Sequence, residues 1–229
     1  MSRLRELLSR DRPLVMGILN VTPDSFSDGG QFLTKDSALA HARAMVKGGA
    51  DIIDVGGEST RPGADPVSVT EEIERVVPII QAIRRESDIA ISVDTSKAQV
   101  IHAAHSEDID LINDVFALRQ EGAMDAASQS GIPVCLMHML GEPRTMQQNP
   151  DYQDVVSDVY DFLADRVSAC EAAGIPRTKI VLDVGFGFGK SPQDNLVLIN
   201  QLPIFLGLGL PMLVGLSRKS TIGRIVDDS

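Results

Sequence analysis

The chain of 229 residues is 43% hydrophobic and 23% charged, and its 32 acidic against 21 basic residues give a formal charge of −11. This balance argues against nucleic-acid binding, which needs a basic face to neutralise phosphates. No segment approaches the ~18 uninterrupted apolar residues of a membrane-spanning helix. The two cysteines, Cys135 and Cys170, have neither a metal-binding spacing nor the number for a disulfide framework. We therefore predict one cytoplasmic domain over residues 1–229 that acts on small molecules.

Short apolar runs alternate with longer stretches of helical periodicity. Several runs are apolar on both faces, which is typical of parallel strands covered by helices. The alternation predicts a parallel α/β protein, either a doubly wound sheet or a (β/α)8 barrel. The predicted helices include Asp36–Lys47, Glu71–Glu86 and Tyr152–Ala173. The predicted strands are Leu14–Leu19, Ile52–Val55, Ile89–Val93, Leu111–Asn113, Val134–Met137, Ile180–Leu182 and Met212–Gly215.

Polar residues at the predicted strand ends decide between these two folds. A barrel enzyme collects its active-site residues at the carboxyl ends of many strands. A doubly wound sheet concentrates them near one switch point instead. Nearly every predicted strand here ends in a polar residue, which favours the barrel. These residues are Asn20, Asp54, Asp94, Asn113 with Asp114, His138, Asp183 and Ser217.

The predicted barrel is incomplete. Seven strands can be identified, and the stretch from Ser220 to Ser229 is too short for a further helix, strand and helix. We therefore expect a TIM-type (β/α)8 barrel whose eighth βα unit is missing from the chain, either because the chain is part of a longer product or because the barrel closes imperfectly. The loss of that unit should expose an apolar seam, which predicts poor stability or an oligomer that covers the seam.

Two polar loops follow the first two strands. The loop from Asn20 to Gly30 is long, polar and ends in glycines, which indicates a functional lid; a solvated connector is the alternative. The loop from Gly56 to Ala64 offers glycines for close backbone approach and Arg61 for a forked contact with phosphate. In a structural alternative, Asp54 and Glu58 only serve as partners of that arginine.

The polar residues of the later strands suit a flat heterocycle. The segments at Asp94 and Asn113 offer side chains that donate and side chains that accept hydrogen bonds. The carboxylate of Asp183 can accept two parallel N–H bonds from an amino-pyrimidinone edge. The structural alternative pairs Asp183 with Lys219 or Arg218 inside the barrel.

Two further segments and one histidine concern phosphate and metal binding. The segment Gly185–Ser191 misses the P-loop pattern by one residue, and Lys190 occupies the last glycine position of Gly-x-Gly-x-x-Gly. It therefore predicts only a loop with close backbone approach. The segment Gly215–Ser220 places two adjacent cations where barrel enzymes often bind phosphate, although a surface basic patch is the alternative. His138 has only Cys135 near it in sequence, and Cys135 falls in an apolar run where a small buried hydrophobe is expected, which argues against zinc.

Taken together, these segments resemble the dihydropteroate synthase family. The resemblance covers essentially residues 14–226, and its first two motifs are highly specific. One departure is Val184, where the family usually has proline; the other is the missing C-terminal unit, which supplies an Arg-x-His segment to the phosphate. The matching segments are Gly17–Gly29, Asp54–Gly63, Ser92–Thr95, Ile112–Asp114, Met137–Met139 and Ser217–Ser220.

The resemblance implies a transferase reaction in which 4-aminobenzoate displaces pyrophosphate from a dihydropterin to give dihydropteroate. Departure of pyrophosphate leaves a methylene cation conjugated with the pterin ring, so that catalysis requires the stabilisation of separated charges. By resemblance, Asp94, Lys219 and Arg61 are catalytic, and Asn20 joins Mg²⁺ and the pyrophosphate. The implied substrate-binding residues are Thr60, Asn113, Asp183, Met137, Phe188, Ser220, Val115 and Gly215.

The resemblance further implies a homodimer and competition between sulfonamides and 4-aminobenzoate. Two alternatives remain open. A pterin-dependent methyltransferase would share the Asp and Asn residues, but it would have no reason for a lid with Arg61 and Mg²⁺ around a pyrophosphate. A truncated, non-catalytic protein would still bind pterin but would lack the phosphate contacts of the eighth unit.

Overall fold

A computed structural model describes residues 3–22, 35–60, 64–141, 146, 151–217 and 219. Within these ranges helices and strands alternate, as predicted for a parallel α/β protein. The strands are β1 (Met16–Asn20), β2 (Ile52–Gly56), β3 (Ala90–Asp94), β4 (Leu111–Asp114), β5 (Val134–Met137), β6 (Ile180–Asp183) and β7 (Met212–Leu213). The α-helices are α1 (Arg3–Leu8), α2 (Lys35–Lys47), α3 (Val69–Glu86), α4 (Ala98–His105), α5 (Ala123–Ser130), α6 (Val155–Ala172), α7 (Pro192–Asn200) and α8 (Leu202–Phe205).

The seven predicted strands are present among the described residues, and their ends differ slightly from the prediction. Strand β1 begins at Met16 because the N–H of Val15 donates to the carboxylate of Asp51 at 2.9 Å and not to a neighbouring strand. Strand β7 ends at Leu213 and is shorter than predicted. The three predicted helices correspond to α2, α3 and α6.

The chain forms two compact units. The first contains Met1–Ser59, Asp65–Asp114 and Leu118–Val134, and the second contains Thr60–Ala64, Val115–Ala117 and Cys135–Ser229. In the first unit, β1 to β4 pair in parallel, each strand with the next one along the chain. In the second unit, β6 pairs in parallel with β7. The single domain predicted from the sequence stays a prediction.

Local side-chain chemistry fixes where the helices begin and end. Ser68 caps α3 by accepting the N–H of Glu71, and acidic residues occupy the first turn. Ser191 and Asp194 form a capping box at the start of α7. Helix α5 ends at Gly131, whose φ of 63° is the left-handed conformation that glycine adopts without strain. These caps place the loops that precede and follow the strands.

The core of the first unit comes from strand residues that are buried on both faces, which explains their continuous apolar sequence. Of the helices in the described ranges, none combines the length and the apolar character needed to cross a membrane. The cytoplasmic location stays a prediction. The fully buried strand residues of the first unit include Leu19, Ile53, Val55, Ile91, Val93, Leu111 and Ile112.

Candidate functional site

A row of polar residues runs along the carboxyl ends of the strands in the first unit. Asn20 at the end of β1 pairs in register with Gly56 at the end of β2. Gly56 pairs with Asp94 at the end of β3, and Asp94 pairs with Asn113 in β4. One register row therefore brings together three side chains that the sequence predicts for the site, at the edge where barrel enzymes carry their catalytic groups.

Gly56 leaves room in the middle of this row. A Cβ atom at this position would lie 3.2 Å from Oδ1 of Asn20 and 3.5 Å from Oδ2 of Asp94. The amide oxygen and the carboxylate oxygen therefore both border the space above the glycine. A side chain at Gly56 would crowd both oxygens and fill the space that a ligand could use.

Asp54 lies beneath this row, in β2. It is 2% exposed, and its Oδ2 accepts a hydrogen bond from Nδ2 of Asn113 at 3.1 Å. Among the described residues, its other oxygen, Oδ1, has no hydrogen-bond partner. Burial raises the pKa of Asp54, and the bond from Asn113 offsets part of this rise. Asp54 thus orients the amide of Asn113. This hydrogen bond explains the position of Asp54 without the alternative in which it is only a structural partner of Arg61.

Negative charge accumulates around Asp94. Its surroundings displace water from the carboxyl group, and this burial raises its pKa well above the usual range. The charges of Asp54, Asp114, Glu72 and Glu58 raise the pKa further. An ionised Asp94 is therefore destabilised in the free protein, and a cation placed beside it would be strongly favoured.

A buried ion network ties the loops after β2 and β3 together. Nζ of Lys97 donates to Oε2 of Glu58 at 2.8 Å, to the carbonyl of Val67 at 2.9 Å and to the carboxylate of Glu72. Glu58 also accepts the N–H of Val67 at 2.8 Å, and Oγ1 of Thr95 donates to Glu72 at 2.6 Å. Glu58 therefore has Lys97 as its partner, while Arg61 lies outside the described residues.

In the second unit, Asp183 ends β6 and is 6% exposed. Its Oδ1 accepts the N–H of Gly185 at 2.7 Å, and its backbone carbonyl accepts the N–H of His138 at 3.0 Å. Burial raises the pKa of Asp183 to about 6, although the bond from Gly185 and the charges of Lys219 and Lys190 act in the opposite direction. This carboxylate therefore titrates near neutral pH.

Lys219 lies over an aromatic ring in the same unit. Its Nζ is 3.8 Å from the centroid of the Phe188 ring, which is the geometry of a cation–π contact. Phe188 in turn packs against a buried apolar cluster that includes Val115 and Met137. The structure thus brings together Lys219, which is predicted to be catalytic, with three residues that are predicted to bind substrate.

Lys190 is a charged residue of this unit that the sequence prediction missed. It is 2% exposed, and its Nζ lies 3.0 Å from Nδ1 of His138. The same amino group donates to the carbonyls of His138, Gly185 and Phe188 at 3.2, 2.9 and 3.0 Å. Burial lowers the pKa of Lys190 to about 7. The sequence feature that indicates its role is a lysine directly after a segment in which every second residue is glycine.

Of the remaining predicted residues, the structure describes Thr60 and Gly215. Thr60 is partly exposed after β2, and Gly215 is exposed after β7. Arg61, Ser220 and residues 23–34 of the first loop lie outside the described residues. Within the described ranges, no three His, Cys, Asp or Glu side chains are grouped so as to hold a metal ion. The row and the cluster lie in different units.

Known proteins of similar sequence point to one family. The family described as "Pterin binding enzyme" matches residues 16–229. The dihydropteroate synthase of Haemophilus influenzae is 53% identical over 215 residues, which cover 94% of this chain and 78% of the relative.

Solved structures agree. The Yersinia pestis dihydropteroate synthase, solved in a sulfonamide drug complex, has a TM-score of 0.91 at 50% identity. The matched region covers 94% of this chain and 78% of the Yersinia pestis chain. The Xanthomonas albilineans dihydropteroate synthase with 4-aminobenzoic acid has a TM-score of 0.89 at 49% identity, with coverages of 96% and 78%. These similarities confirm the predicted TIM-type barrel as the fold class.

Proposed function

Because the chain belongs to the dihydropteroate synthase family of pterin-binding enzymes, we propose that it condenses 4-aminobenzoate with 6-hydroxymethyl-7,8-dihydropterin pyrophosphate. The family assignment makes it a transferase of folate biosynthesis. In the proposed reaction, the amine nitrogen forms a bond to the pterin methylene as the bond from that carbon to the pyrophosphate oxygen breaks. The amine loses a proton, and the products are dihydropteroate and pyrophosphate.

The observation that carries this proposal is the row from Asn20 to Asn113 at the carboxyl ends of four strands. Positive charge develops on the pterin and its methylene as pyrophosphate departs. We assign its stabilisation to Asp94, whose like-charged surroundings disfavour the ionised carboxylate until a cation is beside it. Such a carboxylate interacts more strongly with the transition state than with the substrate, which is the condition for raising kcat.

We assign recognition of the pterin ring to the polar side chains of Asn113, Asp183 and Lys219. Asn113 donates one N–H to Asp54, which leaves its amide oxygen and its second N–H for the ring. Asp183 would accept two N–H bonds from the amino-pyrimidinone edge, and Lys219 would donate to a ring acceptor. The proposed packing and backbone contacts come from Met137, Phe188, Val115 and Gly215.

We assign Mg²⁺ and the pyrophosphate to Asn20. The fit is reasonable because Mg²⁺ prefers oxygen ligands and usually combines one or two protein oxygens with substrate phosphates and waters. The Oδ1 of Asn20 borders the space above Gly56 and is an oxygen ligand of this kind. When bound, Mg²⁺ would neutralise charge on the leaving group. Thr60 and Arg61 would contact the pyrophosphate, and Ser220 would contact the carboxylate of 4-aminobenzoate.

We propose a homodimer that covers an apolar patch of the second unit. Four large apolar side chains of α7, α8 and the following turn are between 44% and 59% exposed, and such patches commonly mark interfaces. A Leu206→Glu variant should sediment as a monomer, and a Leu8→Glu variant should sediment as a dimer. A monomeric wild-type chain at micromolar concentration would contradict this proposal. The patch consists of Leu196, Val197, Ile204 and Leu206.

An assay of pyrophosphate release tests the proposed reaction. Release should require both the pterin pyrophosphate and 4-aminobenzoate, and a sulfonamide should compete with 4-aminobenzoate alone. Release that is independent of 4-aminobenzoate would contradict the synthase assignment. Binding of the pterin without any release would instead support the non-catalytic alternative, and methyl transfer from methyltetrahydrofolate to a corrinoid would support the methyltransferase.

A further inference from the structure

Lys190 is a buried lysine that the proposed mechanism does not use. It follows β6 in the loop 185–190 and is 2% exposed, so that its amino group has no direct access to a substrate. Lysine is almost never buried to this extent unless its amino group is hydrogen-bonded. Its Nζ donates to three backbone carbonyls within 3.2 Å and lies 3.0 Å from Nδ1 of His138, whose role as donor or acceptor depends on the tautomer of the ring.

The loop is shaped around this amino group. Three glycines, Gly185, Gly187 and Gly189, have φ values of 68°, 80° and 62°, a conformation that other residues rarely adopt. A Cβ atom at Gly185 would lie 1.8 Å from the carbonyl oxygen of His138, and one at Gly189 would lie 2.6 Å from that of Leu140. The loop therefore lies directly on the backbone that follows β5, and the lysine supplies the donors for the carbonyls that meet there.

The residues held by this amino group include those proposed to bind the pterin. The carbonyl of Phe188 accepts from Lys190, and the Phe188 ring carries the ammonium of Lys219 on its face at 3.8 Å. The carbonyl of Gly185 accepts from Lys190, and the N–H of Gly185 donates to the carboxylate of Asp183. The amino group of Lys190 is thus hydrogen-bonded to the backbone of Phe188, whose ring contacts Lys219, and to the backbone of Gly185, whose N–H donates to Asp183.

We propose that Lys190 is a positioning residue, whose amino group holds the loop 185–190 in the conformation that presents Phe188, Lys219 and Asp183 to the pterin. This inference rests on the proposed function. A Lys190→Met variant keeps the length of the side chain but removes the N–H donors that the carbonyls of His138 and Phe188 receive from Lys190, while the carbonyl of Gly185 keeps the N–H of Phe188 at 3.0 Å. The loop must then rearrange to reach water, because an unpaired buried carbonyl is costly.

Titration calorimetry with the pterin pyrophosphate alone tests this role. The Kd of Lys190→Met should rise by about tenfold to a hundredfold over the wild type. In steady-state kinetics, the KM for the pterin should rise while the KM for 4-aminobenzoate changes less than about threefold. This split is not expected if the lysine only stabilises the fold.

Arg84→Met is the matched control. Arg84 is also a cation that donates to two backbone carbonyls, those of Ile89 and Asp108, but it lies in the first unit before β3 and β4. It should lower the thermal midpoint and leave the Kd for the pterin unchanged. A Lys190→Met variant that loses stability but binds the pterin like the wild type would overturn the inference alone.

A second variant keeps the inference testable if Lys190→Met does not fold. His138→Phe removes the contact between Nδ1 and the amino group of Lys190 and retains a ring against Phe162, whose centroid is 4.9 Å away. Its Kd for the pterin should rise roughly threefold to tenfold; an unchanged Kd would overturn the inference. A wild-type chain that does not bind the pterin would overturn the proposed function and the inference with it.

Discussion

The two units of the chain differ in the sign of the charges that surround their central ionisable group. In the first, the carboxylates of Glu58 and Glu72 surround one lysine, Lys97. In the second, two lysines, Lys190 and Lys219, act on one carboxylate, Asp183. Lys97 and Lys190 therefore titrate differently in the two units, because their surroundings differ.

The partly buried Lys97 and the buried Lys190 show this contrast most clearly. Burial lowers the pKa of Lys97, but its bonds to Glu58 and Glu72 outweigh this effect, and the pKa is raised. Lys190 bonds to neutral acceptors, and burial lowers its pKa to about 7. Lys97 is thus a permanent cation of the loops after β2 and β3, whereas Lys190 is a donor whose charge changes near neutral pH.

The largest expected effect concerns the acidic surroundings of the first unit. Asp94→Asn should lower kcat by about 10²- to 10³-fold because it removes the charge that stabilises the pterin cation. Its free energy of unfolding should stay equal or rise, since the substitution relieves repulsion among carboxylates. Initial rates and urea unfolding measure the two effects.

Asp110→Asn is the control for this prediction. Asp110 precedes β4, is paired with Arg84 at 3.0 Å and lies away from the row at the carboxyl ends. This variant should lose stability and keep kcat. If Asp94→Asn loses stability and keeps most of its kcat, Asp94 has a structural role and the comparison of the two units loses its functional meaning.

The second prediction removes the cation of the first unit. Lys97→Met should lower the free energy of unfolding by about 2–4 kcal/mol at pH 7.5, because it leaves the 0% exposed Glu72 without its counter-charge. Arg43→Met, which breaks the exposed ion pair with Glu86, should cost much less than Lys97→Met, because solvent screens an exposed pair. Equal losses in the two variants would show that Lys97 belongs to an ordinary surface pair.

The third prediction compares the two lysines by pH. Lys190 binds its proton less tightly in the folded chain than in the unfolded chain, so that its effect on stability becomes more favourable as pH rises from about 7 towards 10.5. Between pH 7.5 and 9.5, the stability of the wild type relative to Lys190→Met should therefore rise by about 2 kcal/mol.

For Lys97→Met the same difference should be flat over this range, because the raised pKa of Lys97 keeps it charged in both states. Urea unfolding of the three proteins at several pH values provides the measurement. Parallel curves for the two variants would contradict the proposed difference between the lysines.

The sequence predicts the strand-end residues of both units, but it does not predict which side chains they contact. The strand ends at Asn20, Asp94 and Asp183 were predicted because an apolar run followed by a polar residue marks the edge where parallel strands end. The predicted strand positions were confirmed for the same reason. The cation–π contact between Lys219 and Phe188 joins segments far apart in the chain, and no local pattern predicts such a pairing.

Lys190 shows why local patterns were insufficient. Its run of glycines predicts only a loop with close backbone approach, because phosphate-binding motifs describe contacts of a loop with a ligand. They do not describe a side chain that the loop itself surrounds. The direction of a lysine side chain follows from the carbonyls that converge on it, and these include the carbonyl of His138 in another segment. The role of Glu58 was likewise hidden until Lys97 was placed beside it.

The smallest expected effect concerns Asp183 and pH. Its pKa of about 6 means that it becomes protonated below pH 6 and can no longer accept two N–H bonds. Affinity for the pterin should be about tenfold weaker at pH 5 than at pH 7. Asp183→Asn should bind weakly with little pH dependence in this range. An affinity in the wild type that is constant from pH 5 to pH 7 would contradict the assignment.

The central claim is that this chain joins a dihydropterin to 4-aminobenzoate with the help of Asp94. The most direct measurement supplies isotopically labelled 4-aminobenzoate and follows product by mass spectrometry. We expect labelled dihydropteroate in equal amount to the pyrophosphate released, with both reduced together in Asp94→Asn. Pyrophosphate released without labelled dihydropteroate, or product formation unaffected by Asp94→Asn, would contradict the account.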